Sequence, residues 1–338
     1  MEKYDHYSLA SRHTFGVEAY ADYWIDYDSP EDLAALIPIL PSGMPVFHMG
    51  GGSNLLFMGD YKGVLLHSRI KTLEVVSHAE DVMFLRVGAG WNWDEFVDYC
   101  VTHHLYGLEN LSLIPGEVGA AAVQNIGAYG EEVGRHIVEV EVMELKTGQR
   151  KTISQKDCDY SYRSSRFKTD WKGMYAVLYV TFQLHKHFVP NLTYAPIREF
   201  AETVDERELD AALIREKIIQ IRQEKLPDPR LLGNAGSFFK NPVISEKEYQ
   251  DLQARYAHQQ IPAYRTDNGV KIPAAWLIEK CGWKGRKLGR AGVYRKQALV
   301  LVNLGGATAD EIVALSDRIC QDVKSRFGII IQPEVIFV

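Results

Sequence analysis

The chain lacks any long apolar run. Its longest strand-like stretch, Met174 to Leu184, is broken by Thr181 and Gln183, and nothing approaches the ~20 residues needed to cross a bilayer. It also lacks a basic excess: 38 Lys and Arg against 44 Asp and Glu leave a net charge of −6, which argues against a nucleic-acid footprint. Cysteine is scarce. Cys100, Cys158, Cys281 and Cys320 are scattered, with no C-x-x-C pair and no histidine at zinc spacing, so neither a disulfide framework nor a metal site is expected. The polar start Met1-Glu2-Lys3-Tyr4-Asp5 has no apolar core of a signal peptide, and reduced thiols in the cytoplasm are the expectation. The phosphate-binding fingerprints G-x-G-x-x-G and G-x-x-x-x-G-K-[ST] and the hydrolase elbow G-x-S-x-G are absent, as are internal repeats. What is present is ordinary globular composition, 46% hydrophobic and 24% charged over 338 residues, enough for two or three domains.

Local signals divide the chain. Glu18 to Tyr27 reads as a strand. Ser29-Pro30-Glu31-Asp32 opens a helix, with Ser29 as cap and Pro30 in the first turn, ending near Leu40. Pro45 to Met49 and Val64 to Leu66 read as strands, as does Val82 to Val87, followed by a helix from Trp93 to His103. His136 to Leu145 and Arg150 to Ser154 form a hairpin across Lys146-Thr147-Gly148, and Tyr175 to Leu184 closes that sheet. Glu208 to Lys225 is helical, with Leu209, Leu213, Ile218 and Ile221 spaced for one buried face. Leu226-Pro227-Asp228-Pro229 marks a boundary, because each proline disfavours helix in the residue before it. Beyond it, Ser245-x-x-Glu248 and Thr308-x-x-Glu311 are capping boxes for helices to about His258 and Phe327, the second stopped by Gly328. A shorter helix covers Pro273 to Lys280, and Ala298 to Asn303 and Ile329 to Phe337 read as strands.

Four segments and one acid can carry chemistry. Gly50-Gly51-Gly52-Ser53-Asn54 offers bare amides that can wrap a phosphate, with a flexible turn as the alternative. Ile114 to Gly130 holds four glycines and four alanines, which permit close approach of a planar ligand or simply tight helix packing. Tyr160 to Lys168 packs two tyrosines, two arginines and a lysine, suited to a carboxylate or phosphate, although a solvated cluster is the commoner meaning. Ser237, in Gly233-Asn234-Ala235-Gly236-Ser237-Phe238-Phe239, is a hydroxyl in a glycine-flanked turn. Glu334 is an acid inside an otherwise apolar C-terminal strand. Buried there, it would need a partner or a raised pKa.

Together and in order, GGGSNLLF, IPGEVGAAAVQNIGAYG, YRSSRFK, LPDP with GNAGSFFKNP, IPAAWLIEKCGWKG and the terminal QPEV resemble the UDP-N-acetylenolpyruvoylglucosamine reductase family. The segment around Tyr194 is similar to the larger type, with a tyrosine loop over the substrate. The resemblance implies an α+β protein of the FAD-binding type: subdomains 1–70 and 71–226 around the cofactor, a substrate-binding domain 227–332, and a C-terminal strand, 333–338, returning to the first subdomain. It implies non-covalent FAD held by Gly50, Gly51, Gly52, Ser53, Asn54, Pro115, Gly116, Gly119, Ala120, Asn125, Gly127 and Ala128. It implies NADPH as co-substrate, a UDP-sugar substrate, and neither nucleic acid nor membrane as partner. A monomer is expected.

The implied reaction has two halves: NADPH reduces FAD, then hydride passes to the terminal carbon of an enolpyruvyl ether and the neighbouring carbon is protonated. Arg163 matches the residue that stabilises the enolate-like intermediate, Ser237 the proton donor and Glu334 the catalytic glutamate. Tyr129, Tyr162, Tyr194, Lys225, Asn241 and Gln297 match substrate contacts. The chain ends four residues after Glu334, sooner than the larger type often does, which bears on how the last strand is held. Two rivals remain at this point. One is a flavin oxidase of the same superfamily, for which His48 could be nominated as a covalent anchor, an ordinary packed histidine being the alternative. The other is a non-catalytic nucleotide-sugar binding protein.

Overall fold

The apolar run Tyr175–His185 is the central strand of a five-stranded antiparallel sheet in the computed structural model, which describes residues 1–41 and 43–338. Ile137–Glu144 and Arg150–Ser154 lie on one side of it, and Val82–Gly88 and Leu73–His78 on the other. Both faces of the central strand are covered, so it shows no polar alternation. Val177, Val180, Phe182 and Leu184 enter a core with Trp93 and Phe96, while Ala176, Leu178 and Tyr179 enter another with Ile25, Leu33 and Leu66. The neighbours Leu178 and Tyr179 share a core because the register slips there: Glu141 faces Tyr179 but Val142 faces Val177, leaving Leu178 as the extra residue of a bulge. Each large aliphatic or aromatic side chain buried this way contributes roughly 1.5–3 kcal/mol.

This sheet belongs to the first of two compact units, comprising Met1–Tyr7, Ala21–Gly51 and Lys62–Glu224. A four-stranded sheet in the order Glu2–Ser8, Tyr20–Tyr27, Tyr61–Ser68, Val46–Met49 supplies the core around Ile25 and Leu66. Ser29 caps the helix Pro30–Leu36 by accepting from the Asp32 amide at 3.1 Å. That helix stops earlier than expected and continues as a 3-10 turn, Ile37–Ile39, because Pro38 has no amide to donate back to Ala34. Trp93–Thr102 and the hairpin strands form where the sequence pattern puts them. In the helix Ala211–Lys225 the buried stripe is Ala211, Ile214, Ile218 and Ile221. The i, i+4, i+7 series therefore runs through Ile214 rather than the expected Leu213, and Leu209 packs on the same cluster from just outside the helix.

The second unit comprises Ser8–Tyr20, Gly52–Tyr61 and Lys225–Val338. Its core gathers Phe15, Phe238, Phe239, Ile272, Leu277, Ile312, Leu315 and Ile319. Both expected capping boxes close, Ser245 with Glu248 ahead of Glu246–Arg255 and Thr308 with Glu311 ahead of Ala309–Phe327, and Gly328 ends the latter at φ 74°. The expected C-terminal strand shrinks to Ile336–Phe337, parallel to Leu55–Leu56. Pro333 cannot donate to a ladder and makes only an isolated bridge to Phe239. Among the described residues no helix is long and apolar enough to cross a membrane.

Candidate active site

In the first unit the two glycine-rich segments meet. A Cβ on Gly50 would stand 3.0 Å from the Ala120 Cβ and 3.1 Å from a Glu117 carboxylate oxygen, and one on Gly51 would stand 3.4 Å from the Gly116 Cα. Ile114 to Gly130, for which close approach of a ligand and tight helix packing are the two readings, contains the helix Val118–Gln124. Gly119 gives its amide to the Ala89 carbonyl at 3.0 Å, and a Cβ on it would lie 2.7 Å from the Ala89 Cβ. Gly119 is thus required by helix packing, while the amides of Gly51 and Gly116 donate to no partner among the described residues. Those are the bare donors that a diphosphate needs.

Asn125 ends this helix in the left-handed conformation, φ 46°. Its side-chain NH2 donates to Glu132 and to the Ser161 carbonyl, and its carbonyl oxygen accepts from the Gly134 amide, so the side chain is occupied in holding the 161 turn. From that turn Arg163 donates to the Gly127 carbonyl, and its own carbonyl accepts from Lys168 Nζ at 2.9 Å. The Arg163 guanidinium lies 5.4 Å from the ring centre of the exposed Tyr162. Gly127–Ala128 and Glu131–Glu132 form a tight hairpin whose two turn residues, Tyr129 and Gly130, both have positive φ. Tyr129 meets Tyr194 edge-to-face at 5.0 Å. Asn110 donates to the carbonyls of both Tyr129 and Asn191, each at 2.9 Å, pinning the hairpin and the loop that bears Tyr194. Burial lowers the Arg222 pKa, with the Tyr129 hydroxyl opposing it, and Arg222 also donates to the Leu113 carbonyl at 3.1 Å.

In the second unit a ladder joins four distant segments. Asn54 Nδ2 donates to the Glu334 carbonyl at 3.3 Å, and the Glu334 amide donates to the Phe238 carbonyl at 2.7 Å. The Phe238 amide donates to the Leu299 carbonyl at 2.7 Å, and the Leu299 amide to Gln297 Oε1 at 3.3 Å. Ser237 is exposed and Glu334 half-buried along this ladder. Asn241 uses its side-chain oxygen to accept from the Ala274 amide at 2.9 Å, capping the helix Ala274–Lys280. Lys225 is exposed at the end of its helix, and Ser53 offers its carbonyl to the Thr14 hydroxyl at 3.4 Å. Gly52, at φ 63°, is held so close that a Cβ would overlap the Arg12 carbonyl oxygen and stand 2.7 Å from the His13 Cα.

One cluster escapes the sequence reading. His67 Nδ1 lies 2.7 Å from Asp26 Oδ1, and Nε2 lies 2.9 Å from Glu117 Oε1. Burial works against its charge, but the two carboxylates overcome this and raise its pKa to about 9. His48 instead packs against the Tyr27 hydroxyl at 2.7 Å, and burial together with the His67 charge pushes it down to about 3. A histidine inside a strand gives no warning in sequence of which carboxylates will flank it.

Comparison with known proteins identifies the family. Residues 228–338 match the family described as UDP-N-acetylenolpyruvoylglucosamine reductase, C-terminal domain, and residues 21–154 match the FAD binding domain. The UDP-N-acetylenolpyruvoylglucosamine reductase of Bacteroides fragilis (strain YCH46) is 51% identical, over 98% of this chain and 99% of its own. That of Porphyromonas gingivalis (strain ATCC 33277) is 45% identical, over 98% of each. The fold matches the crystal structure of UDP-N-acetylenolpyruvylglucosamine reductase from Thermus caldophilus with a TM-score of 0.68 at 21% identity, covering 99% of this chain and 98% of that one. On near-full-length identity of this size, the chain belongs to the UDP-N-acetylenolpyruvoylglucosamine reductase family.

Proposed function

We propose that this enzyme uses NADPH and bound FAD to reduce UDP-N-acetylglucosamine enolpyruvate to UDP-N-acetylmuramate, a step in making peptidoglycan precursors. The observation that carries this reading is the ladder that joins Asn54, Glu334, Phe238 (the residue after Ser237) and Gln297 in a chain 51% identical to a reductase of that name. The unused amides of Gly51 and Gly116, beside small residues, fit the FAD diphosphate. Bound there, FAD would supply the hydride relay between NADPH and the enolpyruvyl carbon. Residues 1–70 and 71–226 would form its two binding subdomains, and 227–332 the substrate domain.

The chain's own residues then manage charge and a proton. Hydride addition pushes negative charge toward the substrate carboxylate, and Arg163 is the fixed cation we assign to it. Ser237 Oγ–H gives its proton to the neighbouring carbon. A hydroxyl is a weak acid, so it serves only against a strongly basic, enolate-like carbon. Glu334 is assigned to polarise that intermediate, and its position is set by its backbone bonds to Phe238 and Asn54. Tyr129, Tyr162, Tyr194, Lys225, Asn241 and Gln297 are assigned to the nucleotide sugar. The four cysteines are free thiols, which supports a reducing, cytoplasmic setting. We assign a monomer, to be checked by light scattering.

The test is direct. The purified protein should carry FAD that acid releases, and it should sustain NADPH oxidation beyond one equivalent per flavin only when the enolpyruvyl UDP-sugar is present. Flavin that stays attached after acid, with oxygen uptake driven by an alcohol or sugar, would overturn this in favour of an oxidase. A colourless protein that binds the UDP-sugar without turnover would reduce it to a binding protein.

A further inference from the structure

His67 sits on the strand Tyr61–Ser68 with a carboxylate at each ring nitrogen, Asp26 on the strand Tyr20–Tyr27 and Glu117 just before the helix Val118–Gln124. Carboxylates only accept, so both nitrogens must donate, and only the imidazolium has two N–H groups. The side chains of His67, Asp26 and Glu117 are 14%, 4% and 16% exposed, so water screens the trio little. The Trp24 ring covers the imidazolium, with centres 5.4 Å apart. Glu117 is the N-terminal cap residue of its helix, yet its side chain makes no capping bond. It turns to His67 instead, and its other oxygen borders Gly50. One cation therefore ties two strands of the four-stranded sheet to Glu117, which lies between the Pro115–Gly116 loop and Gly50.

We propose that His67 is a positioning residue for the cofactor: its imidazolium locks Glu117, and with it the Pro115–Gly116 loop, against Gly50–Gly51 in the spacing that grips FAD. This rests on the reading that these loops hold FAD. Loss of the proton leaves Asp26 and Glu117 facing a neutral ring that can donate to only one of them. The freed carboxylate then stands beside amides meant for a diphosphate and repels it. Other titrating groups near the trio stay silent between pH 6 and 10. His48 is neutral throughout that range, while burial moves Tyr27 far above it. Glu2 and Tyr4 act on Asp26 from the strand Glu2–Ser8; Glu2 is held ionised, and the Tyr4 hydroxyl is pushed up by its bond to Glu2.

The experiment measures FAD affinity by flavin fluorescence on deflavinated wild type, His67→Gln and Glu117→Gln, from pH 6 to 10. Wild type should bind tightly and weaken in a one-proton step near pH 9. H67Q should bind FAD about 10-fold more weakly at pH 7 and lack that step. E117Q, which leaves His67 a single carboxylate, should move the step down by about a pH unit or more, and it decides the matter if H67Q does not fold. A step unchanged in E117Q, or H67Q within twofold of wild type with the same step, overturns the inference while FAD binding by wild type still stands. Wild type with no affinity for FAD overturns the functional reading itself, and this inference with it.

Discussion

The two site-bearing regions differ in how far side chains hold them. In the first unit the glycine loops and the 161 turn have backbone bonds, and side chains add to them: Glu117 through His67 to Asp26, Asn125 to the Ser161 carbonyl, and Arg163 to the Gly127 carbonyl. In the second unit Glu334 and Phe238, next to Ser237, are fixed mainly by backbone amides and carbonyls. A position set by backbone survives loss of its own side chain, whereas one set by a charged side chain fails with it and responds to pH. Chemistry and architecture should therefore separate cleanly at Ser237 and be entangled at Arg163 and His67.

The largest effect should fall on Ser237. Ser237→Ala leaves the Phe238 ladder intact, so NADPH should still reduce the flavin at near wild-type rate, while substrate reduction slows at least ~10²-fold. Rapid-mixing absorbance of the two half-reactions checks this, and equal slowing of both would remove Ser237 from the donor role. Next comes Gly52→Ala, which forces a side chain into left-handed backbone against the Arg12 carbonyl and should destabilise by about 2–3 kcal/mol in urea unfolding. The His67 trio should give at most roughly 3 kcal/mol that depends on pH. Its folded pKa is raised, so that stability is complete below about 6.5, the unfolded value, and disappears as pH climbs through about 9. Denaturation midpoints at pH 7 and 10, compared with H67Q, should converge at the higher pH. Smallest is Asn241→Ala, which uncaps Ala274–Lys280 at a cost of about 1 kcal/mol. A much larger loss of substrate affinity than of stability would show that Asn241 also contacts the sugar nucleotide.

Helix caps were the most legible feature of the chain, because Ser29, Ser245 and Thr308 satisfy amides within three residues of themselves. The hairpin and the central strand were legible from turn chemistry and an apolar run. For the helix Val118–Gln124, tight helix packing was one of two readings that could not be separated, since a run of alanine and glycine carries no periodicity and its packing partner, Ala89, is remote in sequence. A bulge is equally silent: nothing in Leu178-Tyr179 announces that both will point into one core. The motif residues were found by resemblance, but their bonds were not. Asn125 and Asn241 prove to hold turns and caps, and the His67 trio depends on three segments that only folding unites.

An anaerobic two-step titration tests the central claim most directly. NADPH should bleach the enzyme's flavin, and UDP-N-acetylglucosamine enolpyruvate should then restore its colour with one equivalent of UDP-N-acetylmuramate formed. Flavin that stays bleached with that substrate yet recovers on admitting oxygen would contradict the account.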